Sequence, residues 1–160
     1  MAIDDQGFKD ALKLWASGVT VVTSNSEKHG LKGMTATSFS SVSLEPPQIL
    51  VCINKSADTG DAVLEEKAFA VNILNSEQQE VSNQFAGGAS QKDRFANINW
   101  HKGETGSPLF DDALASIECT VVEQVLAGSH WVIIGEVQNA TCNSGKPLLY
   151  FDSSYCELKK

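Results

Sequence analysis

Residues 33–47 carry the most informative stretch of the chain, which reads GMTATSFSSVSLEPP. Over residues 31–44, small and hydroxyl-bearing residues alternate with apolar ones, a pattern typical of a strand with one polar face. Glu45-Pro46-Pro47 ends this strand, because proline has no N–H to donate to a sheet ladder. The small side chains would let backbone amides approach a flat ligand, although composition alone favours a Thr/Ser-rich strand that faces solvent.

The flanking sequence predicts short strands and helices without a regular βαβ alternation. Before residue 31 it predicts an amphipathic helix over 8–15, a strand over 19–24 and a hairpin turn over 25–30. From residue 48 to 88 it predicts a strand buried on both faces over 49–53, a helix over 56–67 with Ser56 or Asp58 as N-cap, a strand over 69–73, and a helix with a capping box at 76–79 that stops at Gly87-Gly88. Beyond these it predicts a long loop over 89–107, strands over 114–126 and 131–137, and a last strand over 147–151.

These elements amount to six or seven strands and two or three short helices. They predict a mainly β, antiparallel barrel with the helices at its periphery. No repeat, low-complexity tract or linker divides the chain, so we expect a single domain over residues 1–160.

The composition, 42% hydrophobic and 20% charged, is that of a globular domain. The formal net charge of -8 argues against a binder of nucleic acid or of anionic membranes. No apolar run approaches the roughly 20 residues that span a bilayer. The first residues, Met1-Ala2-Ile3-Asp4-Asp5, are acidic where a targeting peptide would be basic. We therefore expect a cytoplasmic protein.

The residues that could do chemistry are sparse. The cysteines lie far apart, at Cys52, Cys119, Cys142 and Cys156, so we expect neither a disulfide nor a metal site. Cys52 and Cys119 stand in apolar runs, where a cysteine behaves as a small apolar residue. The glycine motifs of nucleotide-binding folds and the G-x-S-x-G elbow of hydrolases are missing. We therefore expect the chemistry to come from a bound cofactor.

Three more segments could contact a ligand. Residues 54–59 open a predicted helix, where free N–H groups and Lys55 could hold a phosphate or simply cap the helix. Residues 85–88 and 92–95 offer aromatic rings and cations, among them Arg94, the only arginine, or else form a solvated loop. Residues 128–131 put His130 in a turn, where it could contact a ligand or merely be exposed.

In this order, these segments resemble the flavin reductase-like domain, the small reductase component of two-component flavin monooxygenases. Residues 33–47 resemble the family pattern G-x-T-A-x-S-F-S-S-V-S-L-x-P-P almost position for position. Residues 69–74, 93–95 and 135–137 resemble further blocks, so the resemblance covers nearly the whole chain. It implies the FMN-binding split-barrel fold, an antiparallel split β-barrel that dimerises and binds FMN or FAD near the subunit interface.

The resemblance also implies roles for individual residues. The flavin ring would lie along Thr35, Ala36, Thr37, Ser38 and Phe39, and Gly33 and Met34 would also belong to the cofactor-binding residues. The ribityl chain and phosphate would be held by Asn54, Lys55, Ser56, Ala57 and Thr59, and the site would be closed by Phe85, Lys92, Arg94 and Phe95. His130 would be the histidine on the nicotinamide side, in a turn that reads Gly128-Ser129-His130 where the family pattern is G-D-H.

We therefore predict an NAD(P)H:flavin oxidoreductase that forms a homodimer. It would pass a hydride from NADH or NADPH to FMN or FAD and supply the reduced flavin to an oxygenase component or another acceptor. Two alternatives stay open: a non-catalytic flavin-binding or electron-carrier protein on the same fold, and a small β-barrel that binds no flavin.

Overall fold

The computed structural model describes residues 3–159. Its helices are α1 (Asp5–Lys13), α2 (Asp58–Glu66), α3 (Gln79–Ala86) and α4 (Gln91–Phe95). Its strands are β1 (Ser17–Gly18), β2 (Thr20–Ser26), β3 (Gly30–Ala36), β4 (Phe39–Leu44), β5 (Pro47–Asn54), β6 (Ala68–Ile73), β7 (Trp100–Lys102), β8 (Pro108–Phe110), β9 (Ala115–Ala127), β10 (His130–Cys142), β11 (Leu149–Phe151) and β12 (Ser154–Cys156). In this part of the chain, every helix is too short or too polar to cross a bilayer.

Seven strands form one antiparallel sheet in the order β3-β2-β6-β9-β10-β5-β4. A second antiparallel sheet has the order β1-β11-β12, and β7 pairs with β8. The predicted mainly β, antiparallel architecture with short helices is confirmed. Within residues 3–159 the edge strands β3 and β4 do not pair with each other, so the large sheet stays open between them.

The prediction of one continuous strand over residues 31–44 is wrong. The chain leaves one edge of the large sheet after Ala36 and enters the other edge at Phe39. Ser38 fixes this crossing, because its hydroxyl donates to the carbonyl oxygen of Cys52 at 2.7 Å and its own carbonyl accepts the Cys52 N–H at 3.2 Å. The alternation of polar and apolar residues runs on through both strands, which is why the break is invisible in the sequence.

Two clusters of buried apolar side chains hold the fold together. The first joins α2 to the large sheet and includes Val22, Val51, Ile53, Val63, Phe69, Val71 and Ile133. The second joins α3 and α4 to the other side of β2 and includes Val21, Leu74, Phe85, Phe95 and Phe110. Cys119 belongs to the first cluster, and burial raises the pKa of its thiol to about 12. Its predicted role as a small apolar residue is confirmed.

Two apolar surfaces stay uncovered within the described chain. On β5, Val51 and Ile53 are buried, but Leu50 and Cys52 on the opposite face are only half-buried. The prediction that this strand is buried on both faces is therefore wrong, since no helix of the described chain covers its second face. The predicted N-terminal helix exists as α1, yet none of its residues is buried, and Trp15 beyond its end is 78% exposed.

The helix caps differ from those predicted. The N-cap of α2 is Ala57, without a side-chain hydrogen bond, because the Oδ1 of Asn54 takes the Ser56 N–H at 3.0 Å and the Ser56 hydroxyl at 2.8 Å. The N-cap of α3 is Gln78, also without a capping bond, since its Oε1 accepts the N–H of Asn75 at 2.9 Å instead. In the segments before α2 and α3, the polar side chains therefore accept hydrogen bonds from loop residues and do not cap the helix.

The region predicted as a loop over residues 89–107 contains two elements, α4 and β7. Ser90 caps α4 by accepting the Asp93 N–H at 3.2 Å, and Phe95 anchors the helix in the second cluster. The predicted end of α3 at Gly87-Gly88 is confirmed. A polar, aperiodic sequence is therefore ordered here by one cap and one buried ring.

Candidate functional site

Four adjoining cavities lie along residues 34–40, around the crossing from β3 to β4. The Arg94 cavity (220 Å³) is lined by Met34, Thr35, Ala57, Asp58, Thr59, Phe85, Ala86, Gln91 and Arg94. The Tyr155 cavity (360 Å³) is lined by Val19, Thr35, Ala36, Thr37, Ser82, Asn83, Ala86, Tyr150, Ser153 and Tyr155. The Trp15 cavity (710 Å³) is lined by Lys9, Leu12, Lys13, Trp15, Ser17, Thr37, Ser38, Phe39, Ser40, Leu50, Cys52 and Tyr150. The Ser17 cavity (350 Å³) is lined by Trp15, Ala16, Ser17, Gly18, Thr20, Thr37, Phe39 and Ile73. The Arg94 and Tyr155 cavities share Thr35. The Tyr155, Trp15 and Ser17 cavities share Thr37, so the four cavities follow one another along this segment.

Arg94 ties α4 to β3 at the edge of the Arg94 cavity. Its Nη1 donates to the carbonyl oxygen of Gly33 at 2.8 Å, and its Nε donates to that of Ala89 at 3.2 Å. Gln91 reinforces the tie, because its Oε1 accepts the Gly33 N–H at 2.9 Å. A guanidinium group has five N–H donors, so Arg94 keeps donors for a ligand in the cavity.

The first turn of α2 lines the same cavity. Thr59 is 1% exposed there, and Ala57 and Asp58 stand beside it. Since no side chain caps this end of α2, its N–H groups and the helix dipole favour an anion. Together with Arg94, this turn suits a phosphate group.

An acidic residue also lines the Arg94 cavity. Asp58 is the first residue of α2, and its side chain is 70% exposed. Its Oδ2 lies 3.8 Å from the Nζ of Lys32, whose side chain is only 18% exposed on β3. The charges around the cavity are therefore of both signs.

The Tyr155 cavity is walled by the hairpin of β11 and β12. The hydroxyl of Tyr155 donates to the Oδ1 of Asn83 at 2.9 Å and lies 2.7 Å from the Oγ of Ser82. The Thr35 hydroxyl donates to the Ser82 carbonyl oxygen at 2.6 Å, which ties β3 to α3 at the same place. Tyr150 packs edge-to-face on Tyr155, with ring centroids 5.3 Å apart, and so borders both this cavity and the Trp15 cavity.

The Trp15 cavity is the largest of the four and has mainly apolar walls. Its volume of 710 Å³ falls within the range of small-molecule and cofactor pockets. Trp15, Phe39 and Leu50 give it flat apolar surfaces, and Ser38 and Thr37 add polar edges. This arrangement suits a flat ring system with polar atoms along one edge.

The turn between β9 and β10 lies beside the end of β5. His130 pairs with Asn54 across the two strands, and the Lys55 N–H donates to the carbonyl oxygen of Ser129 at 2.9 Å. The Oγ of Ser129 lies 2.8 Å from the Nδ1 of His130, which holds the exposed imidazole against the turn. The structure thus brings together two segments that are far apart in the sequence.

Most of the residues singled out in the sequence line these cavities: Met34, Thr35, Ala36, Thr37, Ser38, Phe39, Ala57, Thr59, Phe85 and Arg94. Others lie outside the four linings: Gly33, Asn54, Lys55, Ser56, Lys92, Phe95 and His130. Gly33 is buried behind the cavity, and Phe95 stands in the second cluster, edge-to-face on Phe85 at 5.1 Å. Lys55, Ser56 and Lys92 are exposed.

Several lining residues were missed by the sequence reasoning. Gln91 is adjacent to the segment 92–95, and Asp58 lies within the candidate segment 54–59 but was not assigned a contact of its own. Tyr150 and Tyr155 have the spacing of one short hairpin, but their approach to α3 is a tertiary contact that no local pattern records. Trp15 lies beyond the end of α1, whereas the sequence predicts that it belongs to the amphipathic helix over 8–15.

Comparisons with known proteins agree with this geometry. Residues 12–159 match the family described as "Flavin reductase like domain". The FMN reductase (NADH) RutF of Pseudomonas syringae pv. syringae (strain B728a) is 39% identical over 158 residues, which cover 98% of this chain and 88% of that protein. The reductase component of the flavin-dependent trigonelline monooxygenase of Acinetobacter baylyi is 40% identical over 148 residues, which cover 92% of this chain and 47% of that protein. The chain thus spans about half the length of this second relative.

Solved structures give the same result. The NADH:FAD oxidoreductase SgcE6 of Streptomyces globisporus C-1027, in complex with NAD and FAD fragments, superposes with a TM-score of 0.90 at 31% identity, over 99% of this chain and 97% of that one. The flavin reductase PheA2 superposes with a TM-score of 0.88 at 36% identity, over 99% of this chain and 100% of that one. A match that begins at residue 12 and continues to residue 159, with relatives of this similarity, leaves one assignment: the chain belongs to the flavin reductase-like domain family.

Proposed function

We propose that the chain is an NAD(P)H:flavin oxidoreductase that reduces FMN or FAD and delivers the reduced flavin to a separate oxygenase or another acceptor. The observation that carries the proposal is the row of cavities along residues 34–40, apolar at the Trp15 end and anion-favouring at the Arg94 end. Family membership supports the same activity, as do relatives named as an FMN reductase (NADH) and as the reductase component of a monooxygenase.

The residues present fit a flavin nucleotide. Its flat ring needs an apolar slot with polar atoms at one edge, which Phe39, Leu50 and Ser38 provide. Its phosphate needs cationic or amide donors, which Arg94 and the uncapped start of α2 provide. Two separate cavities along residues 34–40 meet these two needs.

Phe39, Leu50, Ser38 and Arg94 would hold a flavin that, when bound, would supply the redox chemistry as acceptor of a hydride from the reduced nicotinamide. The contribution of the chain is to bind, orient and shield the two rings, and no acid or base is needed for the hydride itself. The hydroxyls of Thr35 and Ser38 already donate to the carbonyl oxygens of Ser82 and Cys52, so they hold the strand ends in place. Donors from this segment to a flavin carbonyl would therefore be backbone amides or the exposed Thr37 hydroxyl.

His130 is the residue we assign to the nicotinamide side of the site. Its imidazole is exposed, its orientation is held by Ser129, and its strand neighbour is Asn54. An exposed polar ring at the end of β5, outside the four linings, could position a second ligand without contacting the first.

We further propose that two copies of this chain form a homodimer that completes the site. Leu12 and Trp15 are 55% and 78% exposed, and Leu50 and Cys52 face the same Trp15 cavity from β5. A second copy would bury this apolar surface and close the cavity.

The four cysteines are unpaired within residues 3–159, which supports a reducing, cytoplasmic setting.

The decisive experiment measures oxidation of NADH and of NADPH with FMN, FAD and riboflavin, before and after bound flavin is stripped. A flavin reductase turns over with added flavin and at least one of the nucleotides. Tight flavin binding with negligible turnover would instead identify a carrier. A colourless preparation without turnover would identify a β fold that binds no flavin.

A further inference from the structure

We propose that Asp58 sets the affinity of the Arg94 cavity for the flavin phosphate, because its carboxylate opposes the anion that Arg94 and the start of α2 attract. This inference rests on the proposed function, since it assumes a phosphorylated flavin in this cavity. It makes Asp58 a determinant of flavin affinity and of the preference for phosphorylated flavins over riboflavin.

The placement of Asp58 carries the argument. Asp58 lines the cavity together with Arg94 and the buried Thr59. Two anions brought into one small cavity repel each other, so the carboxylate raises the free energy of a phosphate bound there. Arg94 and the uncapped start of α2 are the parts of the lining that favour an anion.

Neighbouring cations offset the carboxylate only in part. The Nζ of Lys32 lies 3.8 Å from the Oδ2 of Asp58, which is beyond hydrogen-bond distance. Arg94 has its Nε and one Nη1 hydrogen engaged with backbone carbonyls, so a ligand receives only part of its donor set. A flavin phosphate in this cavity would therefore meet charges of both signs.

A purely structural role for Asp58 is separable from this one. An acidic residue in the first turn of a helix stabilises the helix through its dipole. Asp61 stands in the same first turn of α2 and is exposed, but it does not line the Arg94 cavity. Asp61→Asn changes the net charge and the helix end as Asp58→Asn does, and is therefore its matched control.

The experiment titrates FMN and riboflavin against wild type, Asp58→Asn and Asp61→Asn by flavin fluorescence, at low and at high salt. We expect Asp58→Asn to lower the Kd for FMN by about three- to tenfold at low salt. The Kd for riboflavin should not change, and Asp61→Asn should leave both constants within about twofold of wild type. The gain for FMN should shrink at high salt, because ions screen charges that are exposed to solvent.

Three outcomes would overturn the inference while leaving the proposed function standing. One is an FMN Kd that is the same in wild type and in Asp58→Asn. Another is a parallel change for FMN and riboflavin, which would assign the effect to the ring. The third is an equal gain in Asp61→Asn, which would assign it to overall charge. Wild type that bound neither flavin and oxidised no NADH in their presence would overturn both proposals.

Discussion

Arg94 shows how one side chain can serve both the fold and a ligand. It is the only arginine of the chain, and it joins α4 to β3 through the carbonyl oxygens of Ala89 and Gly33. Its guanidinium group still lines the cavity that suits a phosphate. The effect of an Arg94 substitution on FMN affinity must therefore be compared with its effect on the affinity for riboflavin, which lacks the phosphate.

We expect Arg94→Ala to raise the Kd for FMN by about tenfold or more, since one charge-assisted hydrogen bond contributes about 1.5–3 kcal/mol. The Kd for riboflavin should barely move. Fluorescence titration of both flavins measures the difference. Equal losses for the two flavins would mean that Arg94 serves only the contact between α4 and β3.

His130 provides the second prediction for a single residue. If it positions the nicotinamide, His130→Ala should raise the KM for NADH or lower kcat/KM by the equivalent of about 1–3 kcal/mol, the scale of one polar contact. Flavin affinity should stay nearly unchanged. Steady-state kinetics with a parallel flavin titration separate the two effects.

Ser129 provides the companion variant, since its Oγ lies 2.8 Å from the Nδ1 of His130. Ser129→Asp should keep or improve the use of NADH if a carboxylate also orients the ring. Wild-type kinetics in His130→Ala would remove His130 from the site. Substitution of a merely exposed turn residue should change the stability by only about 0.5 kcal/mol and leave the kinetics unchanged. Trp131 would then be the next candidate for the nicotinamide contact.

At the level of secondary structure, β3 depends on a glycine at its centre. A Cβ on Gly33 would lie 2.6 Å from the Cε1 of Phe85 and 3.2 Å from the Cζ of Phe95. Both rings belong to the second cluster, so neither can move without disturbing others. The close approach of β3 to α3 and α4 thus requires the smallest residue.

Gly33→Ala should lower the free energy of unfolding by about 1–3 kcal/mol, the usual effect of overpacking. Because Phe85 also lines the Arg94 cavity, FMN affinity should fall with it. Urea unfolding measures the first effect. Gly18→Ala is the control, since a Cβ on Gly18 would meet nothing within 4 Å. Equal stability of the two variants would contradict this account of β3.

The sequence predicted those elements whose signal is local. The β-branched run of β2 and the apolar run of β5 were recognised, as was the end of α3 at Gly87-Gly88. The break at Thr37-Ser38 was not recognised. It arises because β3 and β4 pair with opposite edges of the sheet, whereas the alternation of polar and apolar residues continues through it. The cavity-lining residues were found mainly through a family pattern, whereas the wall formed by Tyr150 and Tyr155 depends on contacts across the fold.

For the whole molecule, the uncovered apolar surface predicts the oligomeric state. Sedimentation at micromolar concentration should give twice the mass of one chain. Trp15→Ser should weaken this association, because Trp15 is 78% exposed in the single chain and borders the Trp15 cavity. Leu158→Ser, at an exposed apolar residue outside the four cavities, is the control. A wild-type monomer that still reduces flavin would contradict the shared site.

The crossing at Thr37-Ser38 links flavin supply to the amount of folded protein. The cavities exist only after both edges of a seven-stranded sheet have formed, because residues 34–40 belong to both. A flavin that binds only this finished arrangement draws the folding equilibrium towards it by mass action. In a cell short of flavin, a larger fraction of the protein would be unfolded and accessible to proteases. The abundance of the enzyme would therefore follow the abundance of its own substrate.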